Sequence, residues 1–237
     1  MRYYPTEEWL SAYGRRLDES RALDAVAPGW GVNFNGDVLF VIEDLPLADT
    51  TLADLPDPVL SDIPAPVREG IADVSLAEAT DYFDDTVRAS LPDVAARLLT
   101  QLEENIVDDT LYAYLELERG NCTGTHVLEG PDARDPGFVI SGDYQTWRQL
   151  VDGRPAVSAM LSGDLSVEGN VLRQVQYGAV LQLLGDIAAQ METVHLFEGS
   201  RPSADRALLD GAVRGPIQVQ RLAQRQATWV TQTLNLF

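Results

Sequence analysis

The sequence predicts an α+β fold in which helices cover a five-stranded, mostly antiparallel sheet. Alternating apolar and polar residues over Thr110–Glu118, followed by an Arg119-Gly120-Asn121 turn and a return strand from Cys122 to Leu128, indicate a β-hairpin. Apolar residues at steps of three and four predict amphipathic helices before, between and after the strands. Further strands are predicted at residues 38–42, 138–140 and 165–168.

The first predicted helix follows Thr6, a good N-cap residue, and ends at Pro28-Gly29. Its buried stripe is predicted to contain Trp9, Leu10, Tyr13 and Leu17. The last predicted helix runs without interruption from Val171 to about residue 192. Its buried stripe is predicted to contain Leu172, Val175, Ala179, Leu183 and Ile187, widened by Val180, Leu184 and Met191.

Two segments differ in composition from the rest of the chain. Residues 45–108 contain six prolines and 14 acidic residues against 3 arginines, which favours short helices and turns. We interpret them as an acidic helical insertion, either a lid over a ligand entrance or a cover for one sheet edge. Residues 198–237 carry 3 acids and 5 arginines, whereas residues 1–197 carry 34 acids and 12 arginines. The chain is therefore predicted to have a main domain, 1–197, and a C-terminal extension, 198–237.

The C-terminal extension starts with a linker-like segment and continues with apolar residues on one helical face from Val219 to Phe237. This pattern predicts an amphipathic helix over about 217–237, for docking on the main domain, on a partner protein or on a second copy. A disordered tail is the alternative.

The chain is strongly acidic. It has 37 acidic residues and 17 basic ones, all arginine, with a formal net charge of −20 at pH 7. Excess carboxylates without lysine are typical of proteins adapted to high internal salt, as in haloarchaea, because salt screens their mutual repulsion. An acidic protein of a GC-rich mesophile is the alternative. The charge argues against nucleic acid and anionic membranes as partners, since both need a basic surface.

Nothing in the sequence predicts export or stable membrane insertion. Residues 1–5 lack the apolar region of a signal peptide, and no window approaches 18 uncharged apolar residues. The lone Cys122 has no partner for an internal disulfide. We therefore expect a cytoplasmic protein.

Motifs for catalysis are missing. Walker A, class A β-lactamase and protein-kinase signatures need lysine, and the sequence has no G-x-S-x-G, G-x-G-x-x-G or H-E-x-x-H. One cysteine and two histidines are too few for a structural zinc site. Cys122 and His126 are predicted to share a strand face at a separation too large for contact. The Asp108-Asp109 pair favours a solvated turn over a calcium site. We expect no enzyme activity, no catalytic residues, no metal and no cofactor.

The most informative segment runs from Gly137 to Gly169. Residues 142–153 form a G-D-x-x-x-W-x-x-L-x-x-G pattern that contains Trp147 in its helix. Residues 163–169 form a G-D-L-x-V-x-G pattern that ends in a strand. This order of strand, helix, helix and strand resembles the sterol carrier protein type 2 family. The resemblance covers residues 110–192 well and residues 30–44 loosely.

The resemblance implies a lipid-binding domain with a hydrophobic tunnel between the helices and the sheet. Periodicity alone favours an ordinary core, so the tunnel depends on the family resemblance. The residues expected to line it are Trp147, Leu150, Val151, Met160, Leu161, Leu172, Val175, Ala179 and Leu183.

The function expected from this resemblance is non-catalytic binding and carriage of an apolar lipid, such as an isoprenoid, a quinone or an acyl chain. The alternative is an accessory or assembly module that binds a partner protein of lipid or quinone metabolism through the same apolar groove. A small hydrolase built on Cys122 and His126 is a third hypothesis.

Overall fold

The structure is a computed structural model that describes residues 2–60, 63–83 and 91–197, all within one compact unit over residues 1–199. The predicted C-terminal extension lies outside the described residues. The strands are β1 (Arg2–Tyr4), β2 (Val38–Glu43), β3 (Ile106–Val107), β4 (Thr110–Glu118), β5 (Asn121–Leu128), β6 (Phe138–Asp143), β7 (Ser166–Gly169) and β8 (Thr193–His195). The helices are α1 (Glu7–Asp18), α2 (Arg21–Val26), α3 (Asp57–Leu60), α4 (Ala65–Ile71), α5 (Leu76–Tyr82), α6 (Asp93–Asn105), α7 (Tyr144–Val151), α8 (Ala156–Ser162), α9 (Val171–Gln176) and α10 (Gly178–Ala188).

The described residues form a mixed six-stranded sheet and a separate two-stranded parallel ribbon of β1 and β8. In the larger sheet β2 pairs antiparallel with β4 and parallel with β6, and β6 pairs antiparallel with β7. β5 and the short β3 both pair antiparallel with β4. The predicted α+β class with a mostly antiparallel sheet is confirmed. The strands missed from the sequence are β1, β3 and β8, which are too short to show alternation.

Both hairpins of β4 are closed by two-residue turns in which each residue has a positive φ. Asp108 and Asp109 have φ of 51° and 55°, and Arg119 and Gly120 have φ of 52° and 85°. This geometry matches the right-handed twist of the flanking strands. The Asp108-Asp109 pair is thus a hairpin turn. Within the described residues, no cluster of three or more Asp, Glu, His or Cys side chains is placed to hold a metal ion.

A β-bulge in the second hairpin changes which residues of β5 face the helices. The register shifts between Glu116 and Leu117, which leaves Thr123 as an extra residue on β5. Cys122 packs towards α1, whereas His126 bonds Glu116 at 3.2 Å on the other face of the sheet. The prediction that Cys122 and His126 share a face is wrong, because one extra residue reverses the alternation.

The predicted helix from Val171 to about residue 192 is interrupted. Tyr177 has non-helical angles (φ −114°, ψ 26°) and separates α9 from α10. Its ring packs against Trp30 and Phe34, and the glycine that follows is a weak helix former. Leu172, Val175 and Ala179 are exposed and Leu183 is half-buried, so the predicted stripe is wrong at these positions, whereas Val180, Leu184 and Ile187 are buried as predicted. The buried residues of α10 are Val180, Leu181, Leu184, Ile187 and Ala188.

α1 begins as predicted, with the Thr6 side chain accepting a hydrogen bond from the backbone N–H of Trp9 at 3.2 Å. Its buried face contains all four predicted residues. Gly14 lets the helix approach β5 closely, since a Cβ there would lie 2.4 Å from the Thr125 methyl group. α1 therefore lies directly on the sheet.

The described part of 45–108 contains short helices, as predicted, and then the longer α6. α6 begins at Asp93, directly after Pro92. The buried Gln101 of α6 accepts a hydrogen bond from Glu7 N and donates one to Pro5 O, both at 3.0 Å. α6 thereby holds the connection between β1 and α1. Among the described residues, no helix is long and apolar enough to cross a membrane.

Candidate functional site

An apolar cavity of about 60 Å³ lies between the sheet and the helices α1, α7, α8 and α10. The strands contribute Phe40, Ile42, Leu111, Ala113, Ile140 and Val167 to its lining. The helices contribute Trp9, Tyr13, Trp147, Met160, Leu184 and Ala188, and β1 adds Tyr4. None of the lining residues is charged. The cavity is thus suited to an apolar guest.

The first glycine-aspartate pattern positions Trp147 on this cavity. Asp143 ends β6 and caps α7, because its carboxylate accepts a hydrogen bond from Thr146 N at 2.7 Å. A Cβ on Gly142 would lie 2.8 Å from a Leu165 methyl group and 3.0 Å from the carbonyl oxygen of Asp164, so a larger residue here would displace its neighbours. Trp147 is then held by a 2.9 Å hydrogen bond from its Nε1 to the carbonyl of Val41. One indole edge is fixed to β2 while the ring faces the cavity.

The second pattern closes α8 and returns the chain to the sheet. Gly163 ends the helix with a positive φ of 83°, a conformation that favours glycine. Asp164 accepts hydrogen bonds from Arg154 and Ser162. These bonds, mainly the one from Arg154, lower the pKa of its carboxyl group. The ion pair lies at the protein surface and fixes the turn before β7.

Aromatic side chains form the end of the cavity near β1. The Tyr13 hydroxyl donates to the carbonyl of Leu184 at 2.7 Å, and Trp9 Nε1 donates to the Thr193 hydroxyl at 2.9 Å. Burial raises the pKa of both Tyr4 and Tyr13 well above the usual value, so both phenols stay neutral. This end of the cavity is rigid and carries no charge.

The nine residues predicted to line a tunnel divide into two groups. Trp147, Leu150, Val151 and Met160 lie together on the cavity. The other five are not part of its lining. Of these, Leu183 is half-buried on α10 and the remaining four are not buried in the core: Leu161, Leu172, Val175 and Ala179.

Sequence reasoning missed the contributions of the first helix and of the sheet. Trp9, Leu10 and Tyr13 were assigned to a buried stripe, yet nothing in a stripe shows that it borders a cavity. The alternation of residues along β2 and β4 could have identified Phe40 and Ala113 as lining residues, because both lie on the face of the sheet that is turned to the helices. None of the described residues of 45–108 lines the cavity.

A larger groove of about 380 Å³ lies between α1 and α6. Its walls carry Glu7, Glu8, Glu104, Arg15 and Arg97 beside a few apolar side chains. Charges of both signs at an open groove are typical of a hydrated surface. The apolar cavity is the better candidate, because binding sites for small molecules are mostly apolar with few polar groups.

The residues of the hydrolase hypothesis are not brought together. Burial raises the pKa of the Cys122 thiol to about 11, which makes it a poor nucleophile. His126 faces away from it and shares Glu116 with Arg134. His195 is buried at the end of β8 and bonds Asp152 at 2.8 Å.

This geometry defines a class of protein: a small α+β domain with helices on one face of a mostly antiparallel sheet and an apolar cavity between them. Residues 84–182 match the model of the SCP-2 sterol transfer family, and the predicted resemblance is confirmed. The match includes both glycine-aspartate patterns and all of α6. It therefore begins inside the segment 45–108.

Three solved structures are similar to this chain. A crystal structure of sterol carrier protein 2 is 20% identical, with 78% of this chain and 97% of that chain covered and a TM-score of 0.46. A Thermus thermophilus protein described as possibly a sterol carrier protein is 20% identical, with 77% and 85% covered and a TM-score of 0.45. Apo sterol carrier protein 2 from Yarrowia lipolytica is 11% identical, with 78% and 89% covered and a TM-score of 0.34. No curated protein matches the sequence.

Proposed function

We propose that this protein binds an apolar lipid between its helices and its sheet and carries it without chemical change. The observation that carries the proposal is the uncharged cavity, whose walls include both glycine-aspartate patterns of the segment that matches a sterol transfer family. Each Å² of apolar ligand surface removed from water contributes roughly 25 cal/mol. Isoprenoid, quinone and acyl chains are the ligand classes that such a site favours.

A lipid enlarges this cavity on binding. Its volume is about 60 Å³, whereas sites for drug-sized ligands have roughly 300–1,000 Å³. Met160 is half-buried on the cavity wall, and its flexible thioether side chain adapts easily to a new neighbour. We infer that movement of α8, which carries Met160, widens the site.

The test is binding of a pyrene-labelled long-chain lipid to delipidated protein in high salt. Ala188→Leu places three more carbon atoms in the cavity and is expected to weaken binding at least tenfold. Ala189→Leu is the matched control, because this neighbour is half-buried and does not line the cavity. Equal affinities in two folded variants would contradict the proposal. Solvent extraction and mass spectrometry of protein from its own host identify the natural ligand.

A second candidate function is assembly with a partner protein, which one surface feature favours. α9 exposes three apolar side chains, Val171, Leu172 and Val175, to 70%, 74% and 79%. Adjacent exposed apolar residues are typical of interaction surfaces. Leu172→Glu combined with Val175→Glu is expected to abolish co-purification of a partner while leaving lipid binding intact. Unchanged co-purification would refute this candidate.

A further inference from the structure

Among the described residues that line the apolar cavity, one side chain, Tyr4, has a buried polar atom without a hydrogen-bond partner. Tyr4 lines the cavity and is 3% exposed, and its hydroxyl is buried without a hydrogen-bond partner among the described residues. The other polar groups of the lining are engaged: Thr6 Oγ1 donates to Tyr3 O, and Tyr13, Trp9 and Trp147 bond as described above. A buried hydroxyl without a partner is costly, so this atom points to a partner that arrives with the ligand.

The Tyr4 ring is held in place from several sides. Tyr4 pairs with His195 in the ribbon of β1 and β8, and its carbonyl accepts a hydrogen bond from Leu196 N at 2.9 Å. Its ring lies edge-on to Trp9 at 4.8 Å and is stacked with Tyr144 at 6.2 Å between centroids. A side chain packed in this way cannot turn its hydroxyl to solvent. The hydroxyl is therefore fixed before a ligand binds, which lowers the entropic cost of the bond.

The surroundings select against a charged ligand headgroup. None of the residues that line the cavity is an arginine or a histidine, so a carboxylate inside it would have no counter-charge. The His195 ring lies edge-on to Tyr4 at 5.9 Å between centroids, and its Nε2 already bonds Asp152. A neutral oxygen needs only one hydrogen bond, and the Tyr4 hydroxyl supplies it as donor or acceptor.

We propose that the Tyr4 hydroxyl is the polar anchor of the cavity and selects an apolar chain that ends in one uncharged oxygen, an alcohol or a carbonyl, over a fatty acid. This inference rests on the proposed function, since it names the ligand class for the same site. An isoprenoid alcohol presents such an oxygen at its end, and a quinone presents a carbonyl oxygen on its ring. A loss of affinity for the alcohol probe alone excludes the quinone, whereas a loss for both the alcohol and the ketone probe is compatible with either ligand.

The test compares four probes with the same ten-carbon chain: decane, 1-decanol, 2-decanone and decanoate. Each is titrated against wild type, Tyr4→Phe and Tyr3→Phe by displacement of the pyrene-labelled lipid. Tyr4→Phe removes one oxygen atom and is expected to lower the affinity for decanol about three- to tenfold, with decane unchanged. Tyr3→Phe is the control, because the neighbouring side chain is half-buried and does not line the cavity.

The ketone shows the direction of the hydrogen bond. A loss for both decanol and decanone means that Tyr4 donates, whereas a loss for decanol alone means that it accepts; either result supports the anchor. Equal decanol affinity in wild type and Tyr4→Phe, with decane still bound, overturns the anchor and leaves the carrier function intact. Preference for decanoate overturns the selection of uncharged headgroups. Failure of wild type to bind any probe overturns the carrier function itself and, with it, the anchor.

The unliganded protein gives an independent readout. Tyr4→Phe removes a buried hydroxyl without a partner, so the melting temperature of the delipidated variant is expected to be equal to or above that of wild type. A lower melting temperature would show that the hydroxyl has a structural partner, which also overturns the proposal.

Discussion

Two adjacent leucines on α10 provide a sharp test of where the cavity lies. Leu184 is 3% exposed and lines the cavity, whereas Leu183 is half-buried and does not. Leu→Ala at either position leaves helix propensity almost unchanged, since both residues are strong helix formers. The difference between the two variants therefore reports packing alone.

The expected cost of Leu184→Ala follows from the atoms removed. Three buried carbon atoms at about 0.8 kcal/mol each give about 2.4 kcal/mol of lost transfer free energy. Every 40 Å³ by which the cavity grows adds about 1 kcal/mol, at about 24 cal/mol per Å³. We expect the free energy of unfolding to fall by about 3 kcal/mol for Leu184→Ala and by about 1 kcal/mol or less for Leu183→Ala.

The assay is urea unfolding at constant high salt, with the slope of free energy against urea as the check that both variants unfold as wild type does. The enlarged cavity of Leu184→Ala is also expected to bind decane more tightly than wild type. Equal destabilisation by the two substitutions, or a larger effect at Leu183, would refute the assignment of the cavity wall to the Leu184 side of α10.

Three further predictions follow from burial, charge and close contact. The thiol of Cys122, with its raised pKa of about 11, is expected to resist a disulfide reagent at pH 8 until urea is added; fast labelling of native protein would contradict this. The pKa of Glu116 is lowered mainly by its hydrogen bond with Arg134. Stability from this group is therefore complete above about pH 5 and is lost as the pH falls through the folded-state pKa. Arg134→Gln is expected to reduce the difference in the free energy of unfolding between pH 6 and pH 3, measured by urea titration. An unchanged difference would refute this prediction. A Cβ on Gly137 would lie 1.8 Å from a backbone carbonyl oxygen, so Gly137→Ala is expected to cost about 1–3 kcal/mol or more. The control Gly178→Ala, with open space around it, is expected to be neutral or stabilising, and similar effects at both glycines would contradict the reasoning.

Local chemistry made much of the fold predictable. The glycine-aspartate patterns specify a cap, a tight approach and an αL turn, and each of these depends on residues close in sequence. Strand alternation and the turn signal at residues 119–121 likewise identified the central hairpin. This is why Trp147 and Met160 were correctly assigned to the helix-sheet interface.

The errors arose where distant contacts decide the structure. The break at Tyr177 is stabilised by rings of Trp30 and Phe34, which lie more than a hundred residues earlier in the chain. A stripe counted without that break assigns Leu172, Val175 and Ala179 to the buried face, although all three are exposed. The bulge at Thr123 is similarly invisible in composition, although it changes the face of every later residue of β5.

The ribbon of β1 and β8 also has a mechanical consequence. Because the two strands run in parallel, α1 leaves β1 and the rest of the chain leaves β8 at the same end of the ribbon. A force that pulls the C-terminal ends of β1 and β8 apart loads the hydrogen bonds between the two strands one after another, as in unzipping, and does not distribute the load among them. The first bond to yield is the one between Leu196 N and the Tyr4 carbonyl. A pull at residue 197 would therefore strain the ribbon beside Tyr4, which lines the cavity, before it strains the six-stranded sheet.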